Sequence, residues 1–204
     1  QSVPDQDRLW CVTLFSGRRP KRVITSRQMR EWASAASGWP LWLLEDSYAV
    51  VGDLGETIAL VLPSPEAEIE KSLSEWINDL RALASLDVEK KRNFILASWN
   101  SLGGPERFVF NKLITSGFRV GVSQKLMARA VAQVAKKTET EIAHRLMGNW
   151  HPDETTWYDL IEAEDLRVDL SRPYPFFLSS ALESSLQSLG APSDWGAEWK
   201  WDGI

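Results

Sequence analysis

The chain has 204 residues, 44% apolar and 25% charged, with a formal net charge of −5. That balance is globular: it excludes disorder or a coiled coil as the whole answer, and the length fits one large domain or one domain plus a piece of another. No apolar run approaches the ~18 residues that a bilayer span needs, so no membrane partner is expected.

In chain order, Gln1-Ser2-Val3-Pro4-Asp5 has no hydrophobic signal region, and the helical pattern starts later. Thr25-x-x-Gln28 is a capping-box signature that predicts a helix running to Ser37, stopped by Gly38. Leu41, Leu44, Tyr48 and Val51 have helical spacing, ended by Gly52. Asp53-x-x-Glu56 opens a short helix that Pro63 ends, and Ser64-Pro65 supplies an N-cap and an N1 proline for the next. Its expected apolar stripe is Ile69, Leu73, Trp76, Ile77, Leu80 and Leu83. Asp87 caps a helix with Phe94, Ile95 and Trp99 facing in. Pro105 at N1 begins another, with Phe108, Val109 and Leu113 on one face and Gly117 at its end. Ser123 caps a helix carrying Leu126, Met127, Ala130, Val131 and Val134. Thr138-x-x-Glu141 is a second capping box, and Trp157, Leu160 and Ile161 mark one more helix. Trp76 and Trp99, on apolar stripes, are read as core.

From Ser171 the texture changes. Arg172-Pro173-Tyr174-Pro175 reads as an extended connector, and Asp194–Ile204 as an entering β-strand. In such a strand Glu198, Lys200 and Asp202 share one face, an amine between two carboxylates. The domain reading is therefore 1–170, a connector at 171–180, and the start of a second domain at 181–204. The start at Gln1 and the stop at Ile204 read as the ends of a fragment.

The charge is segregated. Gly17–Arg30 holds Arg18, Arg19, Lys21, Arg22, Arg27 and Arg30 without an acid. Arg107–Lys137 holds Arg107, Lys112, Arg119, Lys125, Arg129, Lys136 and Lys137 without an acid. The stretches 43–80 and 139–170 are predominantly acidic. Either one surface attracts a polyanion while the rest repels it, or these are ordinary solvated helix faces. A single cysteine, Cys11, excludes a disulfide framework and a Cys-rich zinc site and fits a reducing cytoplasm. The two histidines, His144 and His151, leave little for a histidine-based metal centre.

Glu198-Trp199-Lys200-Trp201-Asp202-Gly203 resembles the E-x-K-x-D-G motif of covalent nucleotidyltransferases. Gly52-Asp53-Leu54-Gly55-Glu56, Phe110-Asn111-Lys112-Leu113 and Phe118-Arg119-Val120-Gly121-Val122-Ser123 narrow the resemblance, as does the Arg172-Pro173 connector. Together they are similar to the all-helical DNA-binding domain that precedes the catalytic core in many ATP-dependent DNA ligases. Ser16–Arg22 is similar to bacterial members. The resemblance implies an all-α, multi-helix DNA-binding domain, then a connector and the first strand of a truncated α+β nucleotidyltransferase domain. It implies a monomeric, cytoplasmic enzyme that uses ATP and Mg2+ to seal nicked duplex DNA in repair, replication or recombination. Lys200 is then the nucleophile that takes AMP, and Glu198 contacts the adenine part of the nucleotide. The expected DNA contacts are Arg18, Arg19, Lys21, Arg22, Arg119, Gly121, Ser123 and Lys125. Ser123 opens a helix, whose free amides and positive dipole end suit a phosphate. The acids of Gly52–Glu56 leave a structural role and a metal-mediated contact both open. The fragment is expected to bind DNA but not to ligate. The competing reading is a non-catalytic helical module that binds an acidic protein partner.

Overall fold

The computed structural model describes residues 3–18, 20–65, 67–115, 122–163, 188 and 190–196. The chain divides into two compact units, Gln1–Arg172 and Pro173–Ile204. In the first, nine α-helices are described: α1 (Asp5–Phe15), α2 (Ser26–Ser37), α3 (Leu41–Val51), α4 (Leu54–Val61), α5 (Leu73–Ala82), α6 (Val88–Ser101), α7 (Gly104–Thr115), α8 (Gln124–Ala135) and α9 (Glu139–Met147). A 3-10 turn (Leu83–Ser85) follows α5, and a π-helical turn (Tyr158–Glu162) stands where Trp157, Leu160 and Ile161 predicted a helix. No strand occurs among the described residues, so the all-α expectation holds for them.

The helix starts follow local side-chain chemistry. The Thr25 hydroxyl accepts from the Gln28 amide while Gln28 accepts from the Thr25 amide, closing the box that opens α2. Asp53, Asp87 and Ser123 accept from amides three residues on, at 3.0, 2.8 and 3.2 Å. Thr138 caps α9 the same way. Glu141 does not complete that box; its carboxylate instead takes Lys137 and Arg145 at 2.8 and 2.9 Å.

Four expectations are corrected. The helix assigned to start at Ser64-Pro65 starts at Ser72, where a Ser72–Glu75 capping box competes more strongly. Residues before it are held by tertiary bonds instead: the Ile69 amide donates to the Ser101 carbonyl, and Ile69 is exposed. The buried face of α7 is not Phe108, Val109 and Leu113. It is Arg107, Phe110, Asn111, Leu113 and Ile114, because polar side chains with buried partners join the core. In α8 the buried residues are Ala128, Val131 and Ala132, while Leu126 and Val134 are exposed. The expected strand cannot begin at Asp194, which lies in a 3-10 turn over Pro192–Asp194 whose Asp194 amide donates to Ala191. The connector and residues 197–204 lie outside the described residues, as does Gly117.

Two hydrophobic cores share α1, a helix without an apolar stripe in the sequence. Trp10 and Leu14 enter the larger core with side chains of α2 to α7. Leu9 and Val12, roughly 100° away around the helix, enter the smaller core with α8, α9 and the π-helical turn. Trp99 is fully buried in the larger core, and Trp76 packs at its edge, 5.0 Å from the Phe110 ring centroid. Arg145, itself buried, donates to the Leu160 and Ala163 carbonyls and so docks the π-helical turn on α9.

The tightest junction joins α4 to α7. Gly55 sits where an added Cβ would come within 3.2 Å of the Asn111 Cβ, so its missing side chain lets the helices meet. Asn111 is wholly buried; it donates to the Gly55 carbonyl at 3.0 Å and accepts from the Trp99 indole at 2.8 Å. Arg107, also buried, donates to the carbonyls of Trp99, Leu62 and Pro63 and secures the end of α4. Asn111→Ala strands a buried donor and a buried acceptor at once. It is expected to cost about 3 kcal/mol, read by urea denaturation as a fall in midpoint at constant slope.

Candidate nucleic-acid interface

After α1 the chain turns on Gly17, whose φ of +85° lies in the left-handed region that glycine adopts without strain. The Gly17 and Arg18 amides donate back to Leu14 and Thr13. Arg18 then reaches to the far end of α9, donating to the carbonyls of Trp150, Leu146 and Gly148 at 3.1, 3.0 and 2.8 Å. Its guanidinium lies over the Trp150 ring, 5.1 Å from the centroid. A cation on the last carbonyls of a helix is a C-terminal cap, so Arg18 fixes the loop.

The same loop is tied to α8. The Gln124 side chain donates to the Ser16 carbonyl at 2.7 Å, and a Cβ on Gly17 would lie 3.7 Å from that amide nitrogen. Ser123 is the N-cap of α8 and Lys125 is exposed on its first turn. Ser16–Gly17 and Gln124 thereby meet. Lys21 is exposed, and no acid among the described residues pairs with Lys21 or Lys125. Arg22 is exposed but locally engaged, donating to Ile24 at 2.8 Å and to the Ser26 hydroxyl at 2.6 Å. Arg19, Arg119 and Gly121 lie outside the described residues, as do Glu198 and Lys200.

Most of the remaining described cations of the two basic runs have other partners; Lys136 is exposed. Arg27 pairs with Glu31, Arg30 with Glu45, Arg129 with Glu139 and Lys137 with Glu141. Lys112 is nearly buried and pairs with Asp53. Runs without acid in sequence are therefore partly neutralised: five of their cations pair with acids. The surplus positive charge is narrower than the sequence implies.

Gly52–Glu56 does structural work. Asp53 caps α4 through the Glu56 amide and holds Lys112 with its other oxygen. Burial alone raises the Asp53 carboxyl, but the hydrogen bond from Lys112, those from the Glu56 and Gly55 amides and the Lys112 charge outweigh it, leaving a lowered pKa. Its oxygens are both engaged, and no group of three His, Cys, Asp or Glu able to hold a metal occurs among the described residues.

Sequence reasoning did not find Arg81 and His151. Arg81 stacks over Trp10 at 4.5 Å, donates to Asp153 at 2.6 Å and contacts His151 at 3.0 Å. Residues 70 apart make this group, and neither lies in a basic run.

The geometry defines an all-helical domain, built on a shared first helix, with Lys125 exposed on the first turn of α8 and no acid paired with it among the described residues. The chain belongs to the family described as DNA ligase N terminus, whose model matches residues 1–132, from before α1 into α8. No curated protein matches the chain. No helix among the described residues is long and apolar enough to cross a membrane.

Proposed function

We propose that the chain is the DNA-binding part of a bacterial-type, ATP-dependent DNA ligase, and that it holds nicked duplex DNA as a monomer. The observation that carries this reading is Lys125, exposed on the first turn of α8 next to its Ser123-capped N-terminus and paired with no acid among the described residues. An exposed ammonium group beside a helix N-terminus suits a phosphate backbone, and contacts of this kind carry no base information. That suits an enzyme that seals any nick. The resemblance of the Glu198–Gly203 motif to covalent nucleotidyltransferases supports the following chemistry. The Lys200 amine attacks the α-phosphorus of ATP; an N–P bond forms and pyrophosphate leaves. AMP passes to the 5′-phosphate at the nick, and the 3′-hydroxyl displaces it to close the strand. Magnesium would offset charge on the phosphates. Glu198 would contact adenine. Arg18 positions the loop that carries Lys21.

The test is binding of nicked and intact duplex across a salt series. The affinity is expected to fall steeply, with a slope of about −0.9 per phosphate neutralised. Lys125→Ala is expected to weaken binding and flatten the slope by about one. Negligible affinity for both duplexes would favour an acidic protein partner and overturn the reading.

A further inference from the structure

In the first unit a cleft of about 400 Å3 opens between α1, the loop after it, the end of α5 and residues 150–152. Its wall holds three cations, Arg18, Lys21 and Arg81, and no carboxylate. In a chain with a net charge of −5, two of these cations, Arg18 and Lys21, pair with no acid among the described residues, while Arg81 is paired with Asp153. Two of the cations are pre-set. Arg18 is fixed by three carbonyls and the Trp150 face, and Arg81 by Asp153, His151 and the Trp10 face. Arginine only donates, so His151 Nε2 accepts from Arg81, while the Asp153 backbone amide nitrogen lies 3.3 Å from Nδ1. Lys21 supplies an adjustable third charge. Trp10 also lines the cleft; it is 2% exposed, and its indole N–H is buried without a partner.

We propose that this cleft binds a phosphate group, held between Lys21 and the fixed guanidinium of Arg81. Guanidinium and ammonium donors form short, charge-assisted bonds to phosphate oxygens, and guanidinium groups already fixed lose little freedom on binding. The phosphate comes from a nucleic-acid strand or from free solution. The strand as source rests on the duplex-binding reading; the cleft chemistry does not.

The full chain is titrated with inorganic phosphate, thymidine 5′-monophosphate, thymidine and tetraglutamate, following the indole N–H signals of Trp10 and Trp150 by NMR. Phosphate and the monophosphate are expected to shift both signals saturably, and thymidine is not. Lys21→Ala is expected to raise the half-saturating phosphate concentration about tenfold, whereas Lys90→Ala, on an exposed lysine outside the cleft, leaves it unchanged. No shift at Trp10 and Trp150, or the same titration in Lys21→Ala, overturns the proposal. So does an equal response to tetraglutamate, which marks a site for acidic peptide. Nicked duplex that binds with its salt dependence but leaves both indoles unmoved overturns the cleft and spares the duplex reading. Phosphate binding without duplex binding does the reverse.

Discussion

A ligase carrying Lys200→Ala will retain no label on the protein after incubation with ATP labelled at the α-phosphate, a loss of more than about a thousandfold against the parent. Covalent catalysis divides a hard transfer into two easier ones, and it needs a nucleophile with a free electron pair. Lysine at pH 7 is mostly protonated and has none. Glu198 and Asp202, two residues away on either side, favour the protonated form by charge alone. Deprotonation then has to come from desolvation or from the cation bound with the nucleotide. Adduct formation is accordingly expected to accelerate as pH rises from 6 to 8.5. Lys200→Arg separates charge from nucleophilicity: the guanidinium keeps the positive charge but never deprotonates in this range. It is expected to be as inactive as the alanine variant. Both variants should keep their duplex affinity, since the helical unit is untouched. Label persisting on Lys200→Ala would remove Lys200 from the mechanism.

What could be read ahead of the structure was local. The capping box of α2, the Asp87 cap of α6 and the Ser123 cap of α8 are satisfied within four residues, so spacing alone announces them. The faces of α7 were not legible, because a hydrophobic stripe cannot anticipate a helix that buries Arg107, Asn111 and Lys112. Those residues are acceptable inside only because their partners, the carbonyls of Leu62, Pro63 and Gly55 and the carboxylate of Asp53, come from α4 and its ends. Helix α1 was hidden for the opposite reason. It faces two cores, so its apolar residues spread around the helix and lose their period.

The interface was legible in residue type and misjudged in extent. A run of bases without acids reads as free positive charge, yet Arg30, Lys112 and Arg129 find acids on other elements. Arg18 shows the same error in a neutral setting, with its donors on helix-end carbonyls. Lys21 and Lys125 are exposed and have no acid paired with them among the described residues. Nothing in the sequence near Arg81 or His151 records that they meet. Their contact is set by how α5 and residues 150–153 pack around Trp10.

Asp53 and Lys112 form a pair whose two ends are not equivalent, and the asymmetry is measurable. The Lys112 side chain is 8% exposed and the Asp53 side chain 31%. Asp53→Ala removes the α4 cap and leaves an ammonium group buried without its counter-charge; it is expected to cost about 4 kcal/mol. Lys112→Met instead leaves a carboxylate that water can reach and that still caps α4. It is expected to cost about 1 kcal/mol. In the double variant the buried charge is gone, so the combined loss falls short of the sum, which a double-mutant cycle in urea reads directly. Acid provides a second check. The folded-state pKa of Asp53 is lowered, so its contribution is complete above the ordinary carboxyl value of 3.8 and disappears as pH falls through the lowered one. Glu141 is lowered too, chiefly by its bond from Lys137, and adds to the same limb. Stability is therefore expected to fall below about pH 4, and Asp53→Asn, which cannot titrate, to make that fall shallower without abolishing it. An unchanged acid limb in Asp53→Asn would mean that the ion pair contributes nothing to folding and that the cap alone explains the residue.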